Sequence, residues 1–159
     1  MASEIMYWSD LRGKPVQLSG QGRKAGVVED FYYDPETQSV AALRVKTALY
    51  GSRALLTSAI AALDQDNVTI ENENMLIDET NTGHLSLLPL GSQLIGARVL
   101  NEQGHELGTV SNLYLGVYPL VAMRISSFEM GRARARRISA HAITSIDGNT
   151  LTIMGQEDF

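Results

Sequence analysis

The sequence predicts an all-β protein built as two tandem small, bulged β-barrels with few short helical turns. Three observations predict it. The segment RKAGVVEDFYYDPETQSVAALRV, Arg23 to Val45, nearly returns as HELGTVSNLYLGVYPLVAMRI, His105 to Ile125. Apolar residues alternate at Ala41, Leu43 and Val45, and again at Val121, Met123 and Ile125, the period of a half-buried strand. Glycines and one Asp-Pro pair punctuate these runs where hairpins turn.

In chain order, Leu11-Arg12-Gly13-Lys14-Pro15-Val16 opens the first copy and matches Leu94-Ile95-Gly96-Ala97-Arg98-Val99. Gly20-Gln21-Gly22 and Glu102-Gln103-Gly104 read as the first hairpin turns, since glycine accepts the positive φ they require. Gly26, Val28, Phe31 and Tyr33 then match Gly108, Val110, Leu113 and Leu115. The spacing of three from Val28 to Phe31, shared by Val110 and Leu113, reverses the alternation and predicts a bulge. Asp34-Pro35-Glu36-Thr37 is a turn with proline presetting φ. Ala42-Leu43-Arg44-Val45 matches Ala122-Met123-Arg124-Ile125, which puts Arg44 and Arg124 at one shared, solvent-facing position. Only Thr57–Leu63 and Ser139–Ile146 could hold a helical turn. Val68 and Ile70 match Leu151 and Ile153 in the last strand, after the tight turns Asp64-Gln65-Asp66-Asn67 and Asp147-Gly148-Asn149. Such short strands bury their edges by curling closed. The expected domains are 1–72 and 94–159. The linker 73–93 begins acidic, as ENMLIDETNTG, and becomes apolar as HLSLLPLG, an extra strand or a barrel lid.

At 159 residues, 44% hydrophobic and 19% charged, the chain has the composition of a soluble globular protein. It has no cysteine, which excludes disulfides and thiolate metal sites and fits a reducing compartment. The start shows no basic flank and apolar run, and no stretch reaches the ~18 apolar residues of a membrane span. The reading is cytoplasmic, without membrane insertion. The net charge of −5 is uneven: residues 1–90 carry seven Lys/Arg against twelve Asp/Glu, and 91–159 six against six.

The motifs of the first copy resemble those of the PRC-barrel family: Leu11-x-Gly13-x-x-Val16, Gly26-x-Val28-x-Asp30, the Asp34-Pro35-Glu36-Thr37 turn and Leu43. The second copy keeps Leu94, Gly96, Val99, Gly108 and Val110. It has Asn112 in place of Asp30 and Gly116-Val117-Tyr118-Pro119 in place of the Asp-Pro turn. The resemblance implies a small bulged barrel that works as an adaptor or assembly module, with no catalytic residue set. Members include the cytoplasmic domain of the photosynthetic reaction-centre H subunit and the C-terminal domain of a ribosome maturation factor. The residues here match neither the membrane helix of the one nor the N-terminal domain of the other, so neither role carries over.

Candidate chemistry is sparse. His84, His105 and His141 lack metal-ligand spacing. The Asp64–Asn67 turn could offer oxygens to Ca²⁺ but lacks the glycine and distal glutamate of a calcium loop, so it reads as a hairpin turn. No nucleophile motif, phosphate loop or dinucleotide fingerprint is present. The sharpest anomaly is GRARARRIS, Gly131 to Ser139. As a strand it puts Arg132, Arg134 and Arg136 on one face and Arg137 on the other. Three readings fit the strip: a site for phosphate, RNA or an anionic lipid head group, a charged edge that resists sheet-to-sheet association, or docking on the acidic first copy, within the chain or between chains. Tyr32 and its counterpart Tyr114 are the other candidates, as interface tyrosines or as covers of a barrel end. The sequence therefore reads as a non-enzymatic protein–protein adaptor with no catalytic residue, cofactor or metal. Its partner is a protein, with a homodimer as one form. The alternative is RNA processing or ribosome assembly, with RNA held on the Arg132–Arg137 strip.

Overall fold

The computed structural model describes residues 4–20, 22–35, 37–81, 84–118, 122–130, 136–147 and 149–154. The chain is all-β, as its alternation predicts. Its elements are β1 (Glu4–Tyr7), the single helical turn α1 (Trp8–Leu11), β2 (Pro15–Leu18), β3 (Lys24–Asp34), β4 (Ser39–Thr47), β5 (Gly51–Leu56), β6 (Ile60–Leu63), β7 (Val68–Ile70) and β8 (Leu76–Ile77). There follow β9 (Arg98–Leu100), β10 (Glu106–Tyr118), β11 (Ala122–Met130), β12 (Arg136–Ser139), β13 (Ile143–Asp147) and β14 (Thr150–Ile153). Both segments expected to hold a helical turn do so, as 3₁₀ turns at Thr57–Ala59 and Ala140–Ala142.

The strands join in the order β13-β14-β9-β10-β11-β4-β3-β2-β7-β6. Outward from the β4–β11 junction, each half has the same arrangement: β4-β3-β2-β7-β6 on one side, β11-β10-β9-β14-β13 on the other. β5 adds to β4 and β12 to β11. The expected bulges are present in both halves, between Val28 and Asp30 on β3 and between Val110 and Asn112 on β10. At each, the polar side chain caps the next backbone N–H: Asp30 Oδ1 accepts from Phe31 at 2.8 Å, and Asn112 Oδ1 accepts from Leu113 at 2.8 Å.

One register expectation is corrected. Phe31 faces Leu43 and Leu113 faces Phe128, while Val28 faces Val45 and Val110 faces Met130. The counterpart of Leu43 is therefore Phe128, that of Val45 is Met130, and that of Arg44 is Glu129. Arg124 answers to Ser39 instead, and these two pair directly where β4 meets β11. The reason is the missing Asp-Pro turn. Without it β10 and β11 continue pairing to Tyr118 and Ala122, so the same inward residues lie further along the chain. Arg44 is half-buried rather than solvent-facing, with Nε 3.0 Å from Glu29 Oε2; the pair is electrostatic, without the alignment of a hydrogen bond. The side chains of Met123 and Arg124 lie outside the described residues.

The halves exchange their leading segments. β1 pairs with β10 of the second half, Tyr7 opposite Tyr114. The residues before the second half return the favour: Leu90 bridges Tyr32, and the Pro89 carbonyl accepts the Tyr33 N–H at 3.1 Å. Asn112 Nδ2 donates to Ser9 Oγ at 2.9 Å, and Asp30 Oδ1 accepts the Ser92 N–H at 3.0 Å. Ser9-x-Leu11 and Ser92-x-Leu94 are themselves counterparts. One apolar core consequently runs through both halves, from Val28, Leu43 and Val45 to Val110, Ile125 and Phe128, all fully buried. Among the described residues no helix is long and apolar enough to cross a membrane.

Candidate functional site

Both candidate tyrosines are buried, Tyr32 at 3% and Tyr114 at 8% exposure. The bulge before them turns Tyr32 and Tyr114 away from the main core, and different partners cover each. Tyr32 stands over Ala42 and Ala54, and the linker closes above it with Ile77, Leu85, Leu88 and Leu90. The HLSLLPLG segment thus acts as a lid, with Leu85 buried at its first 3₁₀ turn and Leu90 in the bridge. The Tyr32 hydroxyl donates to the Glu79 carboxylate. Burial raises its pKa well above the ordinary phenol value, and the Glu79 charge adds to that.

The second face has the same plan in polar residues. Register places Ser127 where Ala42 stands, Arg137 where Ala54 stands, Glu129 for Arg44 and Tyr7 for Leu90. The Arg137 guanidinium lies 3.8 Å above the Tyr114 ring, and its Nε donates to Ser127 Oγ at 2.9 Å. The Tyr7 ring packs on Tyr114 at 4.4 Å between centroids. The Tyr114 hydroxyl donates to Glu129 Oε2 at 3.0 Å and lies 3.1 Å from the Tyr7 hydroxyl. The hydrogen bond with Tyr7, then burial and Glu129, raise the Tyr114 pKa well above its ordinary value. Arg137 remains exposed and Tyr7 is 39% exposed, so this face is open.

Of the arginine strip, Arg132 and Arg134 lie outside the described residues. Arg136 is described for its backbone, at the start of β12 opposite Met130. Tyr7, Ser127 and Glu129 escaped the sequence reading. Extending the repeat back from Leu11 and Leu94 to Ser9 and Ser92 would have paired Tyr7 with Leu90. Glu129 was hidden by the five-residue register difference.

The remaining candidates are structural. His84, His105 and His141 are exposed. Asp64 Oδ1 accepts the N–H groups of Asn67 at 2.7 Å and Asp66 at 2.9 Å, bonds that hold its carboxyl below the usual range. No group of three or more His, Cys, Asp or Glu among the described residues could hold a metal ion. A cleft of 420 Å³ beside Arg44 is lined also by Arg12, Glu29, Asp30 and Ser92. A second, of 540 Å³, lies between the β4–β5 hairpin and the linker, where Leu49 and Tyr50 are exposed. Both are open and of mixed charge. Neither joins a nucleophile to a base, the geometry covalent catalysis requires.

Among curated proteins, none matches the chain. The PRC-barrel domain model matches residues 3–82, just over half of it. That stretch holds the first bulge, the Asp34–Thr37 turn and Tyr32 with Ile77 and Glu79 of its cover, and on this match the chain belongs to the PRC-barrel domain family.

Proposed function

We propose that this protein is a non-enzymatic adaptor of the PRC-barrel type, cytoplasmic, that holds a protein partner on the open Tyr7–Tyr114–Arg137 face. Family membership supports the coarse part, an interaction- or assembly-type role without catalysis. The observation that carries the finer part is the contrast between the two tyrosine faces. One is sealed by apolar residues of the chain's own linker. The other has a tyrosine where the linker supplies Leu90, has a serine and a ring-stacked arginine where the closed face has Ala42 and Ala54, and carries no such lid among the described residues. Tyrosine and arginine are the residues that interfaces use most, since each offers broad contact area with a polar end. We read 1–72 and 94–159 as duplicated copies joined by 73–93, a reading the shared strand order and bulges support. After duplication one face was closed and the other kept for partners.

The test is capture from native lysate by the wild-type chain and by a variant with Arg132, Arg134, Arg136 and Arg137 changed to Gln, each also assayed against total RNA. The expected result is a protein partner held by the wild type, weakened in the variant and weakened further by salt, since exposed charges are screened over about 10 Å at 0.1 M. RNA binding lost in the variant, with every protein partner retained, overturns this reading in favour of RNA processing.

A further inference from the structure

The first half shows what its tyrosine face binds, because the occupant is part of the same chain. β8 adds to the outer edge of β5 in antiparallel register, Leu76 opposite Leu55 and Ile77 opposite Ala54. Ile77 then covers Tyr32, and the chain continues as Asp78 and Glu79. Glu79 accepts the Tyr32 hydroxyl. Asp78 is held by the N–H and hydroxyl of Thr80, with Arg53 of β5 adding a favourable charge. Leu76-Ile77-Asp78-Glu79 is thus a two-residue strand with an apolar pair for the sheet and an acidic pair for what lies beside it.

The counterpart edge is β12. Ser127 pairs with Ser139 as Ala42 pairs with Leu56, and Phe128 with Ile138 as Leu43 with Leu55. Arg137 therefore holds the strand position of Ala54, and Arg136 that of Arg53. Among the described residues β12 pairs with β11 alone, so no strand covers its outer edge. At these two strand positions β12 has Arg136 and Arg137 where β5 has Arg53 and Ala54. An unpaired edge offers backbone N–H and C=O groups to an incoming strand, the mode of strand addition.

We propose that the outer edge of β12 is a docking site for an extended segment of a partner protein, in which two apolar residues are followed by two acidic ones. The apolar pair lies antiparallel to Arg137 and Ile138, and the acidic pair meets the Arg137 guanidinium group. This rests on the adaptor reading and names the chemistry of its partner. Two-residue pairing is short, so the segment docks weakly by itself and gains from tethering, as β8 does within the chain.

The probe is a fluorescein-labelled peptide copying Glu73–Asn81, titrated into the full-length protein with amide shifts read by NMR. The first half keeps its own copy in place through effective concentration, so free peptide should report on β12. The expected result is saturable binding with shifts centred on Arg137–Ser139. A peptide with both acids changed to Lys should bind at least tenfold more weakly, and Arg137→Glu should reverse the two affinities. Should Arg137→Glu melt early, Arg137→Gln with the same peptide pair gives the comparison, its preference for the acidic peptide shrinking several-fold. Three results overturn the inference: no saturation at millimolar peptide, shifts centred on Ala54–Leu55, or indifference to the charge reversal. A short single-stranded RNA that saturates Arg137–Ser139 while the peptide does not also overturns it. If the lysate partner is lost with the four-arginine variant yet the peptide fails, the adaptor reading stands and only this edge falls.

Discussion

Single residues decide how closely the two halves fit. Gly91 lies against the Phe31 ring: a Cβ built there would stand 2.1 Å from Phe31 Cε1, far inside van der Waals contact. Phe31 is fully buried and held edge-on by Trp8 at 4.9 Å, so the ring has nowhere to go. Gly91→Ala should cost about 1–3 kcal/mol by overpacking, read as a lower midpoint in urea unfolding; an unchanged midpoint would mean that β3 yields more easily than this packing implies. Tyr33 supplies a pH test. Burial pushes its phenol up to about 12, from an ordinary 10.0. Between those values the unfolded chain loses the proton that the folded chain keeps, so stability falls as pH rises. That contribution is fully present below about pH 10 and lost through about pH 12. Tyr33→Phe should flatten this part of the alkaline stability profile, and an unaltered slope would assign the effect to other groups.

At the scale of elements, the bulge is the device on which both tyrosine faces depend. Asp30 sits 7% exposed at the first bulge, and its Oδ1 serves two N–H groups, Phe31 on its own strand and Ser92 from the other half's leading turn. Asn112 performs both tasks at the second bulge, accepting from Leu113 at 2.8 Å and from Ser9 at a longer 3.4 Å. An acceptor oxygen is needed there, a charge is not. Asp30→Asn should therefore be nearly neutral, whereas Asp30→Ala leaves buried donors unpaired and should cost about 1–3 kcal/mol. Chemical denaturation of both variants checks this, and an Asn variant as damaged as the Ala variant would show that the charge matters after all. The bulge itself was legible, because the three-residue apolar spacing sits in the sequence twice. What the side chain at the bulge reaches across to was not.

On the scale of the whole molecule, reciprocal exchange of the leading segments makes each half part of the other. β1 covers β10, while Pro89–Gln93 covers β3. The exchange is asymmetric in size. Trp8 is the counterpart of Gly91, and a tryptophan in the place of Gly91 would run into Phe31. The first half cannot complete itself with a second copy of its own β1–α1 segment, and domain swapping between like halves is disfavoured on this ground. Co-expressed pieces 1–82 and 83–159 should accordingly associate one to one, and 1–82 alone should melt well below the complex. A stable folded dimer of 1–82 by itself, seen in sedimentation, would count against this complementarity.

The sequence by itself determined the all-β class, the paired bulges, the hairpin turns and inward residues such as Val28, Leu43, Val45, Val110 and Ile125. These depend on local rules: period-two alternation, the φ that glycine allows, and the apolar spacing along one strand. The lid was legible too, since an apolar run such as HLSLLPLG has to be covered by something. Tertiary structure alone decided which half each leading segment serves, because β1 and Leu90 satisfy strand edges more than 100 and nearly 60 residues away with equal local chemistry. It also decided the partner of Arg44. A hairpin lengthened past a lost Asp-Pro turn keeps its alternation while shifting its register, and a repeating pattern cannot reveal how far it has slid. For the same reason Tyr32 and Tyr114, identical in the sequence pattern, end under different covers. What lies over a strand's outward face is set by whatever distant segment arrives there, and in the two halves those segments are different.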